Sequence, residues 1–210
     1  MLQLDSNRTV TLCCGASGSG KTSFSIRYIL NRENVTARFF FDWRHEYSQR
    51  LKLPLARTAY ELEAQLQTGW VLYDPTHCFP GRSEDGFKFF CDWIYTVSQN
   101  LDGRKVVVVD ELQRFCSSHS IPGELQLIVE TGRSHGIEMF INAQRPNGLP
   151  EVVTGQLTEL VAFATPAPNA LEWFERNAQF DPEEIRRLPK LHFIARNLES
   201  WGELRGSVRL

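Results

Sequence analysis

The chain of 210 residues lacks any long apolar run. Stretches such as Val106–Val109 fall far below the roughly 20 residues of a membrane span. The opening MLQLDSNRTV has no apolar core of the kind a signal peptide carries. There is no Cys-x-x-Cys pair among Cys13, Cys14, Cys78, Cys91 and Cys116. Cys116 and His119 are the nearest mixed candidate and have no partner pair, so a zinc site of four convergent ligands is not expected. Nor is there a global basic excess, since the formal net charge is −2. Disorder is excluded by 42% hydrophobic residues and 23% charged ones. These absences predict a soluble cytoplasmic protein with reduced, buried thiols and one globular domain over 1–210.

The charge is unevenly spread. From Ile185 to Leu210 there are six basic residues, Arg186, Arg187, Lys190, Arg196, Arg205 and Arg209, against Glu199 and Glu203. That makes the tail +4 and the rest −6. The tail is read either as a solvated basic face or as a contact for phosphate backbones, with a loop around Pro75–Gly86 as the other place for such a contact.

Apolar, β-rich runs recur at Thr9–Cys14, Arg38–Trp43, Trp70–Asp74, Lys105–Asp110, Ile137–Asn142, Leu160–Ala164 and Leu191–Asn197. Between the early ones lie Lys21–Asn31, Ala59–Gln67 and Asp85–Gln99, where apolar residues return every three or four positions. Strands alternating with helices predict an α/β fold with a mostly parallel sheet covered on both faces. The two runs around LESWGELRG predict a C-terminal hairpin, so the α/β core is expected over 1–190 and an extension over 191–210.

What is present most distinctively is the run Gly15-Ala16-Ser17-Gly18-Ser19-Gly20-Lys21-Thr22, between a strand and a helix pattern. It satisfies Gly-x4-Gly-Lys-Ser/Thr, the phosphate-cradling P-loop. Glycines let backbone N–H groups turn toward phosphate oxygens, and the helix that follows offers its positive end. Lys21 is placed to reach the β- and γ-phosphates of ATP, and the Thr22 hydroxyl to ligate Mg²⁺. The apolar strand KVVVVD ends on Asp110, expected to hold the Mg²⁺, and Glu111 follows, placed to polarise a water as general base. A third strand ends in Asn142, Ala143, Gln144 and Arg145. Either Asn142 or Gln144 is expected to touch the γ-phosphate or the attacking water.

The VVVVDE segment followed by ETGRSHGIEMFINAQRP resembles the FtsK–HerA superfamily of ring-forming, DNA-pumping ATPases. A bare motor domain of this length is similar, within that group, to the genome-packaging ATPases of membrane-containing double-jelly-roll phages and viruses. The resemblance runs from about Val10 to Arg145, and the duplex-reading and membrane domains of FtsK-type pumps have no counterpart in the sequence. It implies a P-loop fold of the RecA-like kind and ATP hydrolysis coupled to movement of DNA held by its backbone. It also implies a homo-oligomeric ring, a hexamer by preference, in the host cytoplasm, with a capsid vertex, portal or membrane protein as anchor. Catalysis between subunits implies an arginine reaching the neighbour's γ-phosphate, with Arg133 first and Arg145 second. The competing readings are a P-loop kinase and a filamentous-phage assembly ATPase. A guanine-reading Asn-Lys-x-Asp segment is absent.

Overall fold

The computed structural model describes residues 10–117 and 120–208, so Thr9, His119 and Arg209 lie outside the described residues. Eight strands form one sheet in the order β3-β2-β4-β5-β1-β6-β7-β8. They are β1 (Val10–Cys14), β2 (Val35–Phe41), β3 (Trp70–Tyr73), β4 (Arg104–Asp110), β5 (Ile137–Ala143), β6 (Glu159–Phe163), β7 (His192–Asn197) and β8 (Glu203–Ser207). The first six run parallel, and β7 and β8 close the edge as an antiparallel hairpin on β6. The expected α/β architecture and the expected hairpin are both observed.

The central strands are buried along their whole length because helices cover both faces, which is why VVVV needs no polar alternation. Helices α1 (Lys21–Leu30) and α2 (Glu46–Leu51) lie over the face that presents Cys13, Phe40, Val108 and Phe140. The opposite face packs under α3 (Ala59–Leu66), α4 (Ser83–Ser98) and α5 (Gly123–Thr131). It also packs under α6 (Glu151–Thr154), α7 (Pro168–Ala178) and α8 (Pro182–Arg187). Among the described residues no helix is long and apolar enough to cross a membrane.

Aromatic rings tie this second layer to the carboxyl edge of the sheet. Phe41, at the end of β2, packs its ring against Phe87, Phe90 and Phe115 with centroids 5.0–5.6 Å apart. Phe115 in turn meets Trp43 edge-on at 6.1 Å. Such pairs contribute about 0.5–1.5 kcal/mol each beyond the area they bury, so the turn after β2 is held by the core.

The C-terminal hairpin carries less free positive charge than the run of arginines implies. Arg186 and Arg187 both pair with Glu183, Arg205 pairs with Glu184 and Glu203, and Arg196 pairs with Glu203. Two of those acids, Glu183 and Glu184, stand just before the stretch counted as +4. Four of the six basic residues counted in the tail are thereby paired, partly with acids that precede it.

Candidate functional site

In a parallel sheet every strand delivers its C-terminal end to the same edge, and here β4, β5 and β1 are hydrogen-bonded in that order between β2 and β6. The loop Gly15–Gly20 leaves β1 at that edge and runs straight into α1. Gly15 has φ 156°, and a Cβ there would lie 2.6 Å from Phe163 Cβ of β6. Gly20 has φ 115°, and a Cβ would meet Val208 and Leu191 of the hairpin at 2.9 and 3.1 Å. Gly18 has φ 71° with open space beside it, so the loop is packed at both ends and clear at its crest. The Gly15 and Ala16 N–H groups donate to Ala143 and Ala164 at 3.3 and 3.0 Å, which pins the loop to β5 and the end of β6.

No side chain caps α1, so the N–H groups of its first turn point at the space beside the loop. Lys21 Nζ donates to the Gly15 and Ala16 carbonyls, both at 2.9 Å. The Ser19 hydroxyl is buried and has no hydrogen-bond partner among the described residues. A buried donor without a partner is costly, and a phosphate oxygen is a partner this loop is shaped to offer.

Asp110 ends β4, and the register sets Asn142 of β5 beside it, with Cys13 of β1 beyond. Burial raises its carboxyl to about 6, helped by the charges of Glu46 and Glu111 and opposed by Asn142 and Lys21. The Thr22 hydroxyl donates to Glu46 Oε2 at 3.2 Å. Hydroxyl and carboxylate oxygens from Thr22, Asp110 and Glu46 form a donor set suited to a hard cation such as Mg²⁺.

Glu111 adopts a left-handed backbone, φ 52°, and donates its N–H to the Asn142 carbonyl at 2.9 Å. Its carboxylate is nearly covered. Oε1 accepts from Gln144 at 2.8 Å and from Arg44 at 3.2 Å, and Oε2 forms an ion pair with Arg114 Nε at 2.8 Å. Left-handed strain at a non-glycine residue persists only when its surroundings fix it, and such positions cluster at functional sites.

A family model described as an AAA domain matches residues 4–155, well over half the chain. The chain belongs to the AAA domain family. It is an ATPase. This AAA domain is similar to the genome packaging NTPase B204 from Sulfolobus turreted icosahedral virus 2 in complex with AMPPCP. The TM-score is 0.72 at 18% identity, over 98% of this chain and 100% of that one. The N-terminal domain of zonular occludens toxin from Neisseria meningitidis follows at TM-score 0.53 and 16% identity, over 96% and 95%. The conjugation coupling protein TcpA of pCW3 with ATPgS matches at TM-score 0.57 and 14% identity, over 96% of this chain and 60% of that one. No curated protein matches by sequence. The shared fold agrees with the FtsK–HerA resemblance read from Asp110-Glu111 and Gln144-Arg145-Pro146.

Of the two amides at the end of β5 in this AAA domain, Asn142 lies on the strand and is fully buried, and its amide donates to Tyr47 at 2.9 Å and Ser25 at 3.3 Å. Gln144 is exposed at the strand's tip and reaches Glu111. Arg145 is exposed beside it. Arg133 is also exposed, in a 3-10 turn at the start of β5, so the full strand separates it from its own loop. Seven residues at about 3.3 Å each make that roughly 20 Å.

Arg44, Arg114 and Glu46 were not singled out from the sequence. The signal that could have found two of them is the run FDWRHE, with charged residues directly after an apolar strand, as in VVVVDE.

Proposed function

We propose that this ATPase couples hydrolysis to movement of DNA, as a ring motor of the kind that packages a viral genome into a preformed capsid. The hydrolytic half rests on one observation, the Gln144–Glu111 pair at the tip of β5, beside the phosphate loop. A kinase has no use for a water-activating carboxylate, because its acceptor is not water. The translocating half rests on likeness over nearly the whole chain to a structure whose printed name is a genome packaging NTPase. The unbroken sheet from β3 to β8 favours reading 1–210 as one ATPase domain.

Backbone N–H groups of Ser17, Gly18 and Gly20 and of the first turn of α1 receive the phosphates, and Lys21 exchanges its two carbonyls for β- and γ-phosphate oxygens. Thr22 and Asp110 are the residues that would hold Mg²⁺, which when bound supplies positive charge against the γ-phosphate. Glu111 takes the proton of the attacking water, and Gln144 orients that water and reports whether the γ-phosphate is present. Arg133 of one subunit supplies positive charge to the site of the next, with Arg145 as the second choice. DNA is held by its backbone, either on the C-terminal basic tail or on the loop and helix start around Pro75–Gly86, where His77 and Arg82 are exposed and Arg82 pairs with Asp85. A capsid vertex, portal or membrane protein in the host cytoplasm provides the anchor.

ATPase rate measured with and without DNA, on material whose oligomeric state is determined in parallel, tests this reading. The expected result is stimulation by DNA of any sequence, in the assembled form. A rate indifferent to DNA sinks the translocase reading, and transfer of the γ-phosphate to a small acceptor would install the kinase in its place.

A further inference from the structure

The two edges of the sheet are finished differently. At one, the segment before α3 covers β3: Ala56 donates its N–H to the Leu72 carbonyl at 2.7 Å and accepts from the Asp74 N–H at 2.9 Å. The Leu72 N–H donates to Gln65 Oε1 at 2.9 Å. At the other edge no described residue pairs with the outer side of β8. The ladder with β7 decides which groups are left over. The Asn197 N–H donates to the Gly202 carbonyl and the Val208 N–H to the Leu191 carbonyl, both at 2.9 Å, so the even-numbered residues of β8 bond inward. The N–H and C=O groups of Glu203, Arg205 and Ser207 therefore point away from the sheet. Such an edge invites another strand, which proteins deter with proline, lysine, a bulge or a covering segment. β8 contains neither proline nor lysine, its register with β7 is unbroken, and its two charged side chains, Glu203 and Arg205, are joined at 2.8 Å.

A groove of about 860 Å³ runs along this edge, between β8 and the last turns of α1. Leu204 through Val208 all border it. Arg205 and Ser207 turn their side chains to the other face, so it is their backbone that lies open there. Gly206 carries no side chain over Phe193, whose ring a Cβ would meet at 2.9 Å. Beside that gap Leu30 and Leu204 stand 54% and 36% exposed. A glycine on an edge strand leaves a space that a bulky side chain of an adjoining strand fills. The accessible charge is positive. Arg205 is held by Glu184 and Glu203, while the α1 side presents Arg27, Arg32 and Arg104 against Glu33. The acids that pair with Arg32 and Arg104 are Glu138 and Glu159, with side chains 7% and 1% exposed, out of reach of a ligand.

We propose that this edge binds an extended, acidic peptide of a partner protein, which adds to β8 as a ninth strand of the sheet. Outward backbone groups of Glu203, Arg205 and Ser207 supply the hydrogen bonds, and the groove supplies the selection. Alternate residues of the bound strand face α1. A bulky apolar residue over Gly206 and an acidic residue toward the arginines therefore stand two apart in the peptide. The site uses the edge of the sheet and none of the residues that hold nucleotide, so it does not depend on whether the ATPase moves DNA.

The test is fluorescence anisotropy of the full-length protein with labelled peptides of about eight residues, Ser and Thr throughout except for a Phe and a Glu placed two apart, in both orders. Binding in at least one order is expected, about tenfold weaker when Lys replaces Glu. N-methylation of every second amide should abolish it in one register and spare it in the other, because only alternate amides face β8. Ser207→Pro removes an outward N–H at an edge position where proline is tolerated, and should weaken binding about three- to tenfold. Arg27→Glu should weaken the Glu peptides about tenfold and spare the Lys ones. Both variants should keep the wild-type melting temperature and basal ATPase rate, with Arg27→Gln as the milder change if charge reversal lowers the melting temperature. Equal binding of Glu and Lys peptides overturns the acidic partner. Binding indifferent to N-methylation in both registers overturns strand addition, and no binding by any peptide of the panel overturns the site. If Ser207→Pro changes the sedimenting mass without peptide, the edge serves a second copy of this chain and the partner assignment falls.

Discussion

Burial lifts the Asp110 carboxyl to about 6, far above the ordinary 3.8, and this has two consequences of opposite sense. A protonated Asp110 holds no cation, so Mg²⁺-dependent nucleotide affinity should fall as pH drops below about 6, measured by titration of an ATP analogue. Stability goes the other way. Between 3.8 and about 6 the native state binds a proton that the unfolded chain does not, so this group makes the protein more stable as pH falls through that window. Above it, the buried charge costs a few kcal/mol at most, at about 1.4 kcal/mol per pKa unit. Asp110→Asn in EDTA should therefore melt higher than wild type at pH 7.5, with the gap closing near pH 4. Equal melting temperatures at pH 7.5 would show that the charge carries no such cost. Glu111→Gln should still bind ATP but lose roughly 10²–10⁴ in turnover, while Lys21→Ala should abolish hydrolysis altogether. Turnover by Glu111→Gln near the wild-type rate would remove it as the base. Both acids could be read from the sequence because they sit together at the end of one apolar strand. Their partners could not: Arg44 is 67 positions from Glu111, and only the pairing of β2 with β4 brings the two together.

At the scale of elements, the phosphate loop depends on strands far from it in sequence. A Cβ on Gly15 would overlap β6, and one on Gly20 would press into the C-terminal hairpin. Gly15→Ala should therefore cost about 1–3 kcal/mol of overpacking and lower the melting temperature by several degrees. Nucleotide binding should weaken in the same variant, because relief of the clash moves the cradle; unchanged melting and unchanged affinity would show that the loop yields freely. The loop itself was legible because eight contiguous residues carry it, and α1, α3 and α4 were legible by their period, whereas α7, with 11 residues, was not singled out. Helix α2, with six residues, and α6, with four, are too short to show one. β2 begins at Val35, earlier than the apolar run suggests, because Thr36 and Arg38 interrupt the pattern on a strand beside the sheet's edge strand. The pairing of the tail was out of sight for a related reason. Arg205 finds Glu184 across 21 positions, which a window beginning at Ile185 leaves out.

For the whole molecule, the placement of Arg133 raises the question of whether one chain is a complete enzyme. It is exposed at the start of β5, about 20 Å from the phosphate loop of its own chain, so it can act on a γ-phosphate only in a neighbour. Arg133→Ala should then bind ATP almost normally and hydrolyse it poorly, with a loss of about 10³–10⁵ if it serves as an arginine finger. Mixing decides the matter. Subunits carrying Lys21→Ala bind no productive nucleotide but keep their arginine, and subunits carrying Arg133→Ala keep an intact cradle. Each is inactive alone. A mixed ring sets some intact cradles beside intact arginines, so part of the activity should return, in proportion to the fraction of such neighbours. A dilute monomer as fast as the assembled form would end the proposal. A mixture that stays inactive while demonstrably co-assembling would transfer the role to Arg145, which stands exposed beside Gln144 at the tip of β5, on the rim of the site itself.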